Sequence, residues 1–410
     1  MTTTSTYDVH TVRAAFPILQ RTVHGGKPLV YLDHAATAQK PQAVLDAIGH
    51  YYRTTNSNVH RGAHALSAEA TAAFEDARAV IAGYVGAARN EEIVFTSGTT
   101  DGLNLLAATV LTSAQPGDEI LLTEMEHHAN IVPWQMVAQQ RGLAIRVVPV
   151  RDDGTISVDD VASLLTERTK VFACAHVSNV LGTINPIAEW SALCQANGTR
   201  CIVDGAQAIQ HCSVDVQALG CDAYVFSAHK LFGPTGFGVL WARYDFLDAL
   251  PPYRGGGAMI DRVTFSGTTF NAIPMRFEAG TPHIEGAIGT AAAIRWLQEI
   301  DTTERIAHED DLLRHTTAAM TAMDGLTILG TASHKVGIIS FVVDGIHASD
   351  IGTLLDNMGI AIRAGHHCTQ PLHQRFGIDA SARASFALTS TREEADMFVE
   401  GLAKAIRMLR

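Results

Sequence analysis

The sequence lacks the features that mark membrane, secreted and nucleic-acid-binding proteins. It has no apolar run long enough to span a bilayer, and its start, MTTTSTYDVH, lacks the basic and apolar segments of a secretory signal. It has no excess of positive charge, since 42 acidic side chains outnumber 30 basic ones and give a net charge of −12. We therefore expect a cytoplasmic protein whose main partner is neither nucleic acid nor a membrane.

Cysteine is scarce and unevenly distributed. The chain has six cysteines in 410 residues, and no two of them form a C-x-x-C pair. This pattern argues against a zinc ribbon and against a disulfide framework. Five of the cysteines lie between residues 174 and 221, whereas Cys368 stands alone near the C-terminus. The length allows two domains with a large core, and the 47% of apolar residues is ordinary for a globular protein.

Cys368 lies in the stretch RAGHHCTQP, residues 363–371, and three roles are open to it. Most cysteines are small buried apolar groups. A His-His-Cys cluster can also bind a metal, but three adjacent residues do not easily converge on one tetrahedral ion and no fourth ligand is apparent, so we expect no metal site. The third role is a nucleophile, which requires exposure and a polar or cationic setting.

Short apolar runs alternate with helical patterns through the middle of the chain. Runs with the composition of buried strands occupy residues 92–96, 119–123, 170–174, 201–204 and 223–227, and helical patterns include 103–111 and 187–196. This alternation predicts an α/β domain with a mostly parallel sheet. Upstream, the spacing of Phe74, Ala77, Ile81 and Tyr84 predicts an amphipathic helix, with Ser67 as its N-cap.

The pattern changes after about residue 300. Helical patterns at 301–323 and 349–358 alternate with strand-like runs at 336–343 and 359–363, as expected of a smaller α+β domain. We place a large domain at residues 24–302. The small domain is expected to combine residues 1–23 with residues 303–410.

Polar residues follow the predicted strands, where ligands of open α/β sheets bind. SGTTDG, residues 97–102, has the composition of a phosphate-binding helix start, although a plain capped turn has it too. Asp204 and Lys230 follow two later strands, and each alone has an ordinary explanation as a cap or a solvated charge. Together the three features predict pyridoxal phosphate, with Lys230 as its Schiff-base lysine and Asp204 at the pyridine nitrogen.

Two more strand ends fit the same cofactor. EHHAN, residues 126–130, offers an imidazole for stacking on the ring, and HVSN, residues 176–179, offers an amide for a ring hydroxyl. Eight stretches in all resemble the cysteine desulfurases among the class V aminotransferase-like enzymes, and their SufS-type (group II) branch in particular. They are YLDHAATAQKP (31–41), NVHRGAHALS (58–67), EMEHHANIVPWQ (124–135), HVSNVLGTINP (176–186), VDGAQA (203–208), SAHKLFGPTG (227–236), RFEAGTP (276–282) and RAGHHCTQP (363–371).

The resemblance implies a fold and a set of residues around the cofactor. The fold would be that of fold-type I pyridoxal-phosphate-dependent transferases, an α/β fold with a mostly parallel, seven-stranded sheet in the large domain. Lys230 would carry the cofactor, Asp204 would bind the pyridine nitrogen, Gln207 the phenolic oxygen, and His127 would stack on the ring. The resemblance assigns the phosphate to Thr100, Ser227 and His229, and to Thr281 from the second subunit of a homodimer.

The resemblance also implies the reaction. Asn179, Arg363 and Arg383 would hold the substrate carboxylate, a task for which the planar fork of arginine is suited. Cys368 would take sulfur from L-cysteine as a persulfide, leave L-alanine, and pass the sulfur to a SufE- or SufU-like acceptor for iron–sulfur cluster assembly. His366 and His367 would supply polarity or charge for a thiolate.

Other functions stay open at this point. A selenocysteine lyase or another class V enzyme, such as an epimerase-like relative, would share most of these residues. A non-enzymatic sulfur relay or scaffold is a third possibility, and the presence of Lys230, Asp204, His127 and Cys368 together argues against it. Cys368 in its motif favours the desulfurase, a sulfurtransferase, over an epimerase. The sequence departs from the usual family pattern at Ser97 and Asp101, at residues 283–285 and at residues 387–391.

Overall fold

A computed structural model of the chain describes residues 7–410, and its strands are numbered here in chain order. They are β1 (Thr22–Val23), β2 (Lys27–Pro28), β3 (Val30–Tyr31), β4 (Ile93–Thr96), β5 (Glu119–Thr123), β6 (Ala144–Val148), β7 (Thr169–Ala175), β8 (Arg200–Asp204), β9 (Ala223–Ser227), β10 (Gly238–Ala242), β11 (Ile260–Thr264), β12 (Gly267–Phe270), β13 (Leu326–Leu329), β14 (Ile338–Val343), β15 (Ile360–Ala361), β16 (Arg363–Gly365) and β17 (Ser381–Ser385).

The α-helices are numbered in the same way. They are α1 (Val9–Ala14), α2 (Gln42–Thr54), α3 (Ala65–Val85), α4 (Thr99–Val110), α5 (Val132–Arg141), α6 (Val158–Leu164), α7 (Ile187–Asn197), α8 (Ala208–His211), α9 (Val216–Leu219), α10 (Tyr244–Asp248), α11 (Ile284–Gln298), α12 (Thr302–Thr321), α13 (Ala348–Asp356), α14 (Gln370–Arg375) and α15 (Arg392–Leu409). Short 3-10 helices cover Pro17–Gln20, Asn90–Glu92, His128–Asn130, Ala228–Lys230 and Met275–Phe277.

A seven-stranded sheet forms the centre of the molecule, in the order β4-β10-β9-β8-β7-β5-β6. Only β10 runs against the others, so the sheet is mostly parallel, which confirms the fold class. Side chains of β8 alternate between two hydrophobic cores, with Val203 on one side and Ile202 on the other. A sheet covered on both faces accounts for the continuous apolar runs in the sequence.

The five predicted strands of this sheet are confirmed to within two residues at either end. The edge strand β6 and the antiparallel β10 are additional. β6 carries Arg146 and has exposed positions, which weakens its apolar pattern, and β10 begins with a glycine in a glycine-rich stretch.

The helix predicted around Phe74 is confirmed as α3, but its start differs from the prediction. Its N-cap is His64, whose ring accepts a hydrogen bond from the Ser67 N–H, so the assignment of Ser67 as the cap was wrong. The Ser67 hydroxyl instead donates to the carbonyl of Asn58 at 2.8 Å. That hydroxyl anchors the preceding loop, and the histidine takes over the capping role.

A smaller sheet lies towards the C-terminus, with the antiparallel order β13-β14-β17-β16. Its core packs Leu312 of α12 and Phe398 of α15 against the sheet and includes Val30, because β3 pairs with β15. The N-terminal segment contacts both parts of the molecule. Phe16 packs on Phe232 and Trp296, whereas Tyr7 contacts His308 and Arg13 pairs with Glu394. The exact domain boundaries stay a prediction.

The topology brings the carboxyl ends of β5, β7, β8 and β9 to one edge of the large sheet, with β16 and β17 of the smaller sheet beside them. Within residues 7–410, no helix combines the length and the apolar character needed to cross a bilayer.

Candidate active site

A cavity of about 250 Å³ lies where the strand ends of the large sheet meet β16 and β17. It is lined by eleven of the twelve residues that were predicted for the site from the sequence. They are Thr100, His127, Asn179, Asp204, Gln207, Ser227, His229, Lys230, Arg363, Cys368 and Arg383. Thr281 is the exception, since it lies on the surface beside a separate hollow that Ser97 and Gly236 also line.

Lys230 and Asp204 form the charged centre of the cavity. Asp204 ends β8, and Lys230 ends the short helix that follows the neighbouring strand β9. Burial lowers the pKa of Lys230 to about 8, although the attraction of Asp204 works against that shift. Burial also raises the pKa of Asp204, whose Oδ1 accepts a hydrogen bond from the Ala206 N–H at 2.9 Å. The lysine is therefore close to its neutral, nucleophilic form at physiological pH.

The residue after Asp204 has to be glycine for a steric reason. A Cβ added to Gly205 would lie 2.0 Å from the ring of Tyr224, which is too close for any side chain. Two residues further on, the Gln207 side chain donates from Nε2 to the carbonyl of Ala35 at 2.8 Å. The segment after β8 is thus fixed against both β9 and the loop that follows β3.

His127 presents a neutral imidazole to the cavity. Its Nδ1 accepts a hydrogen bond from the Ala129 N–H at 3.0 Å, which leaves the proton of the neutral ring on Nε2. Burial, followed by the charge of Lys230, lowers the pKa of His127 to about 3. A flat, uncharged ring of this kind is suited to stacking on another flat ring.

A second polar feature of the cavity is the N-terminus of α4. The Thr99 N–H donates to Ser227 Oγ at 2.8 Å, and the two hydroxyls lie 2.7 Å apart. Gly98 precedes the helix with a φ of 146°, and a Cβ on Gly238 would come within 2.4 Å of its Cα. Free N–H groups and the exposed Thr100 beside such a helix start fit a phosphate group.

His229 borders this helix start from the other side. Its Nδ1 lies 3.2 Å from the hydroxyl of Thr37, and burial lowers its pKa to about 4. A neutral His229 therefore offers hydrogen bonds and no charge at neutral pH.

Cys368 lies half-buried in a tight turn that faces the cavity. His367 and Cys368 both have positive φ, 48° and 58°, and the Thr369 N–H donates to the carbonyl of His366 at 2.8 Å to close the turn. Asn179 donates from Nδ2 to the carbonyl of His367 at 2.8 Å, so its amide holds the turn.

The two histidines before Cys368 have different surroundings. His366 is exposed, whereas His367 is buried with its Nε2 3.1 Å from the carbonyl of Ser381. Burial lowers the pKa of His367 to about 2, so His367 is neutral and supplies no charge to a thiolate. Besides Lys230, the cationic groups that line the cavity with Cys368 are Arg363 and Arg383.

These two arginines lie directly opposite each other on β16 and β17. Arg383 is buried, and it donates from Nη1 to the carbonyl of Asn179 at 2.9 Å and from Nη2 to Asp33 at 3.1 Å. Among residues 7–410, the Arg363 side chain has no hydrogen-bond or ion-pair partner. A carboxylate entering the cavity therefore meets one free guanidinium and one that is already anchored.

Sequence reasoning missed three residues that support the site: Asp33, Thr99 and His128. Asp33 lies in the YLDHAATAQKP stretch and Thr99 in the helix start, but their partners are distant in sequence. Some of the residues that depart from the family pattern form contacts of their own. Asp101 accepts from the Ser97 N–H at 3.0 Å and pairs with Arg254 at 3.1 Å, and His283 pairs with Glu285 at 3.2 Å.

The donor set as a whole fits pyridoxal phosphate. An amine with a lowered pKa, an acid at the next strand end, a flat neutral imidazole and a helix N-terminus line one cavity. These groups match, in order, an aldehyde, a ring nitrogen, an aromatic face and a phosphate.

Comparisons with known proteins agree with this chemistry. The family model described as aminotransferase class-V matches residues 30–398. A cysteine desulfurase of Dickeya dadantii is 49% identical over 98% of this chain and 98% of its own length. The crystal structure of the Escherichia coli cysteine desulfurase CsdA, in an S-sulfonic acid form, is 38% identical and has a TM-score of 0.91 over 99% of this chain and 100% of its own.

A more distant solved structure shares the fold. It is a C-DES mutant with glycine covalently linked to its PLP cofactor, 23% identical, with a TM-score of 0.82 over 95% of this chain and 98% of its own. The family match and the 49% identity over nearly the whole length show that the chain belongs to the aminotransferase class-V family and, within it, to the cysteine desulfurases.

Proposed function

We propose that this protein is a pyridoxal-phosphate-dependent cysteine desulfurase that converts L-cysteine to L-alanine and stores the sulfur as a persulfide on Cys368. The observation that carries the proposal is that Cys368 and Lys230 line one cavity together with Asp204, His127 and Arg363. A thiol nucleophile beside a cofactor lysine has no use in an epimerase, and a sulfur-transferring enzyme needs both.

The cofactor would be held by residues of known position. Lys230 would bind its aldehyde carbon, Asp204 its pyridine nitrogen and Gln207 its phenolic oxygen, with His127 against the ring. The N-terminus of α4 with Thr100, Ser227 and His229 would hold the phosphate. When bound, pyridoxal phosphate supplies an electron sink that makes the bonds at the substrate α-carbon labile and lets a β-substituent leave.

Lys230 is suited to moving protons within this site. With a pKa of about 8, its amine takes up and gives up a proton near neutral pH at little cost. Arg363 would hold the substrate carboxylate and Arg383 would support it, which fixes the substrate sulfur towards Cys368. A fixed geometry of this kind turns the sulfur transfer into a step within one complex.

The sulfur step balances without an external oxidant or reductant. The Cys368 thiolate attacks the sulfur of the bound substrate, and an S–S bond forms as the Cβ–S bond breaks. The electron pair of the broken bond returns to the substrate carbon skeleton, which takes up a proton and leaves as L-alanine. In sum, L-cysteine and the Cys368 thiol become L-alanine and a Cys368 persulfide.

The finer assignments are further proposals. The motif resemblance supports the SufS-type branch and a SufE- or SufU-like sulfur acceptor for iron–sulfur clusters, and the composition supports a place in the cytoplasm. The half-exposed Cys368 suits such a transfer. Thr281 lies outside the cavity of its own chain, which agrees with a homodimer in which it completes the partner's phosphate site. The large domain would span 24–302 and the small domain 1–23 and 303–410.

The test measures alanine and sulfide release from L-cysteine with a reducing thiol present. The wild type is expected to be yellow and to form both products, and Cys368→Ala to stay yellow but lose sulfide release. Cys212→Ala is the matched control, because burial raises the pKa of that thiol to about 12 and it lies outside the cavity. Full activity of Cys368→Ala on L-cysteine would exclude the persulfide route. If Cys368→Ala lost activity on L-cysteine but still turned over L-selenocysteine, the result would favour a selenocysteine lyase.

A further inference from the structure

His128 contacts the Cys368 turn at two points. Its backbone N–H donates to the carbonyl of Cys368 at 2.8 Å. Its ring Nε2 lies 3.1 Å from the Gln370 N–H and accepts a hydrogen bond from it. The two contacts fall on either side of Thr369, so one residue of the 3-10 helix that follows β5 holds both ends of the segment from Cys368 to Gln370.

The turn does not favour this conformation by itself. His367 and Cys368 are two consecutive non-glycine residues with positive φ, a region that costs roughly 1 kcal/mol for an ordinary side chain. Such backbone persists where the surroundings hold it in place. Here the external contacts come from His128 and Asn179, which follow strands of the large sheet, and from Ser381 of β17, whose carbonyl contacts the His367 ring.

The ring contact also resembles a helix cap. Gln370 is the first residue of α14, so its N–H has no partner within the helix. The preceding residue, Thr369, makes no side-chain cap hydrogen bond to α14. His128, 242 positions away in sequence, satisfies the group instead.

We propose that His128 is a positioning residue for the reaction, which holds the Cys368 thiol at the substrate through its ring Nε2. The inference rests on the proposed function, because it concerns the step in which Cys368 attacks the substrate sulfur. The role requires an acceptor at the position of Nε2. Glutamine places its side-chain oxygen near that position, whereas asparagine reaches only as far as Nδ1.

The test compares His128→Ala, His128→Gln and His128→Asn as holoenzymes. The first readout is the burst of alanine from one turnover. We expect it to slow about tenfold in the alanine and asparagine variants, the effect of losing one capping hydrogen bond, and to return to within about threefold of wild type with glutamine. The colour change on adding L-cysteine precedes sulfur transfer and should change less than about twofold.

The second readout needs no substrate. The rate at which iodoacetamide alkylates Cys368, assigned by peptide mass spectrometry, should rise several-fold in the alanine and asparagine variants and match wild type in the glutamine variant. Thermal unfolding and yellow colour confirm that each variant folds. Equal rates in all variants, or a glutamine variant that behaves like alanine, would overturn the proposal. A wild type that forms no alanine would refute the desulfurase function, and the alkylation rates would still decide the role of His128.

Discussion

Arg383 Nη2 donates to Asp33 Oδ1 at 3.1 Å, so one of the two arginines that face each other across β16 and β17 already has a carboxylate partner. Arg363, opposite it, has none within residues 7–410. With Asp33 ionised, the three groups carry one net positive charge, which matches the single carboxylate of an amino acid substrate. We therefore expect Arg363 to bind the substrate carboxylate and Arg383 to hold the site together, although the two residues look equivalent in the sequence.

Arg363→Ala is expected to weaken substrate binding and leave the fold intact. Loss of a charge-assisted, bidentate contact to the carboxylate corresponds to roughly 2–3 kcal/mol, or a rise in KM of about 30- to 150-fold. Steady-state kinetics with L-cysteine measures this change. The apparent unfolding temperature should stay at the wild-type value, because no other residue that the structure describes depends on the Arg363 side chain.

Arg383→Ala should behave differently. Arg383 is 2% exposed, and its removal leaves Asp33 and the carbonyl of Asn179 without their donor. The pair is only partly buried, since 23% of the Asp33 side chain is exposed, so its loss costs roughly 1–3 kcal/mol of stability, which urea unfolding would detect alongside the loss of activity. If the two arginine variants were equally stable, the division of roles would be wrong.

The neutral form of Lys230 predicts how the apoenzyme takes up its cofactor. Because burial lowers the pKa of Lys230 to about 8, the fraction of neutral amine rises about tenfold per pH unit below that value. The rate of yellow colour formation with pyridoxal phosphate should therefore rise with pH and level off above about 8. Stopped-flow absorbance measures that rate. A plateau reached only near the usual lysine pKa would contradict the prediction.

Asp204→Asn tests the same pair from the other side. The charge of Asp204 raises the pKa of Lys230 against the effect of burial, so removing it should move the midpoint of the pH profile below 8. Turnover should nevertheless fall by about 100-fold or more, since the pyridine nitrogen loses its acidic partner. A midpoint that moves upward would show that Asp204 does not act on Lys230 through its charge.

Much of this site could be predicted from the sequence because its residues follow buried strands. Asp204 ends one apolar run and Lys230 comes three positions after another, and parallel strands place such ends at one edge. The supporting contacts have no local pattern. Asp33 meets Arg383 across 350 residues and His128 meets Gln370 across 242, so only the folded chain reveals them. The N-cap of α3 was also mispredicted, because the actual cap, His64, lies three positions before Ser67.

Gly238→Ala should damage the phosphate site through the backbone. The added Cβ would lie 2.4 Å from Gly98 Cα, and the backbone before α4 would have to move. Overpacking of this kind costs about 1–3 kcal/mol and should weaken retention of pyridoxal phosphate about tenfold or more, as measured by dialysis and absorbance. The matched control is Gly255→Ala, where nothing lies within 4 Å of the new Cβ and the residue is exposed. Equal retention in both variants would refute the close-approach argument.

Glu126 lies directly before the two histidines of the site and is completely buried. It accepts hydrogen bonds from the Ala175 N–H at 2.9 Å and from Asn130 Nδ2 at 2.6 Å, and it contacts the Thr123 hydroxyl. Burial raises the pKa of Glu126 from 4.5 to about 8. Its carboxyl group is therefore protonated at neutral pH, and it ties the segment that carries His127 to β5 and β7.

Glu126→Gln should destabilise the protein in a pH-dependent way. Glutamine has one acceptor oxygen for the two N–H donors, so at about pH 5 the variant should be less stable by roughly 1–3 kcal/mol. Because the folded-state pKa of Glu126 lies above the unfolded value, the proton stabilises the wild type fully below about 4.5, and this stability is lost as pH rises to about 8. Glutamine does not titrate, so the advantage of the wild type should shrink by about 1.4 kcal/mol per pH unit, reverse in sign before about pH 8 and stay constant above it.

Urea unfolding at several pH values from about 5 to 9 measures this gap. Glu69→Gln serves as the control for the substitution itself, because Glu69 is exposed on α3. A gap for Glu126→Gln that does not change with pH would mean that Glu126 stays ionised in the folded protein. The segment before His127 would then be held by a buried carboxylate with three donors, and the glutamine variant would lose His127 positioning, and with it turnover, at every pH alike.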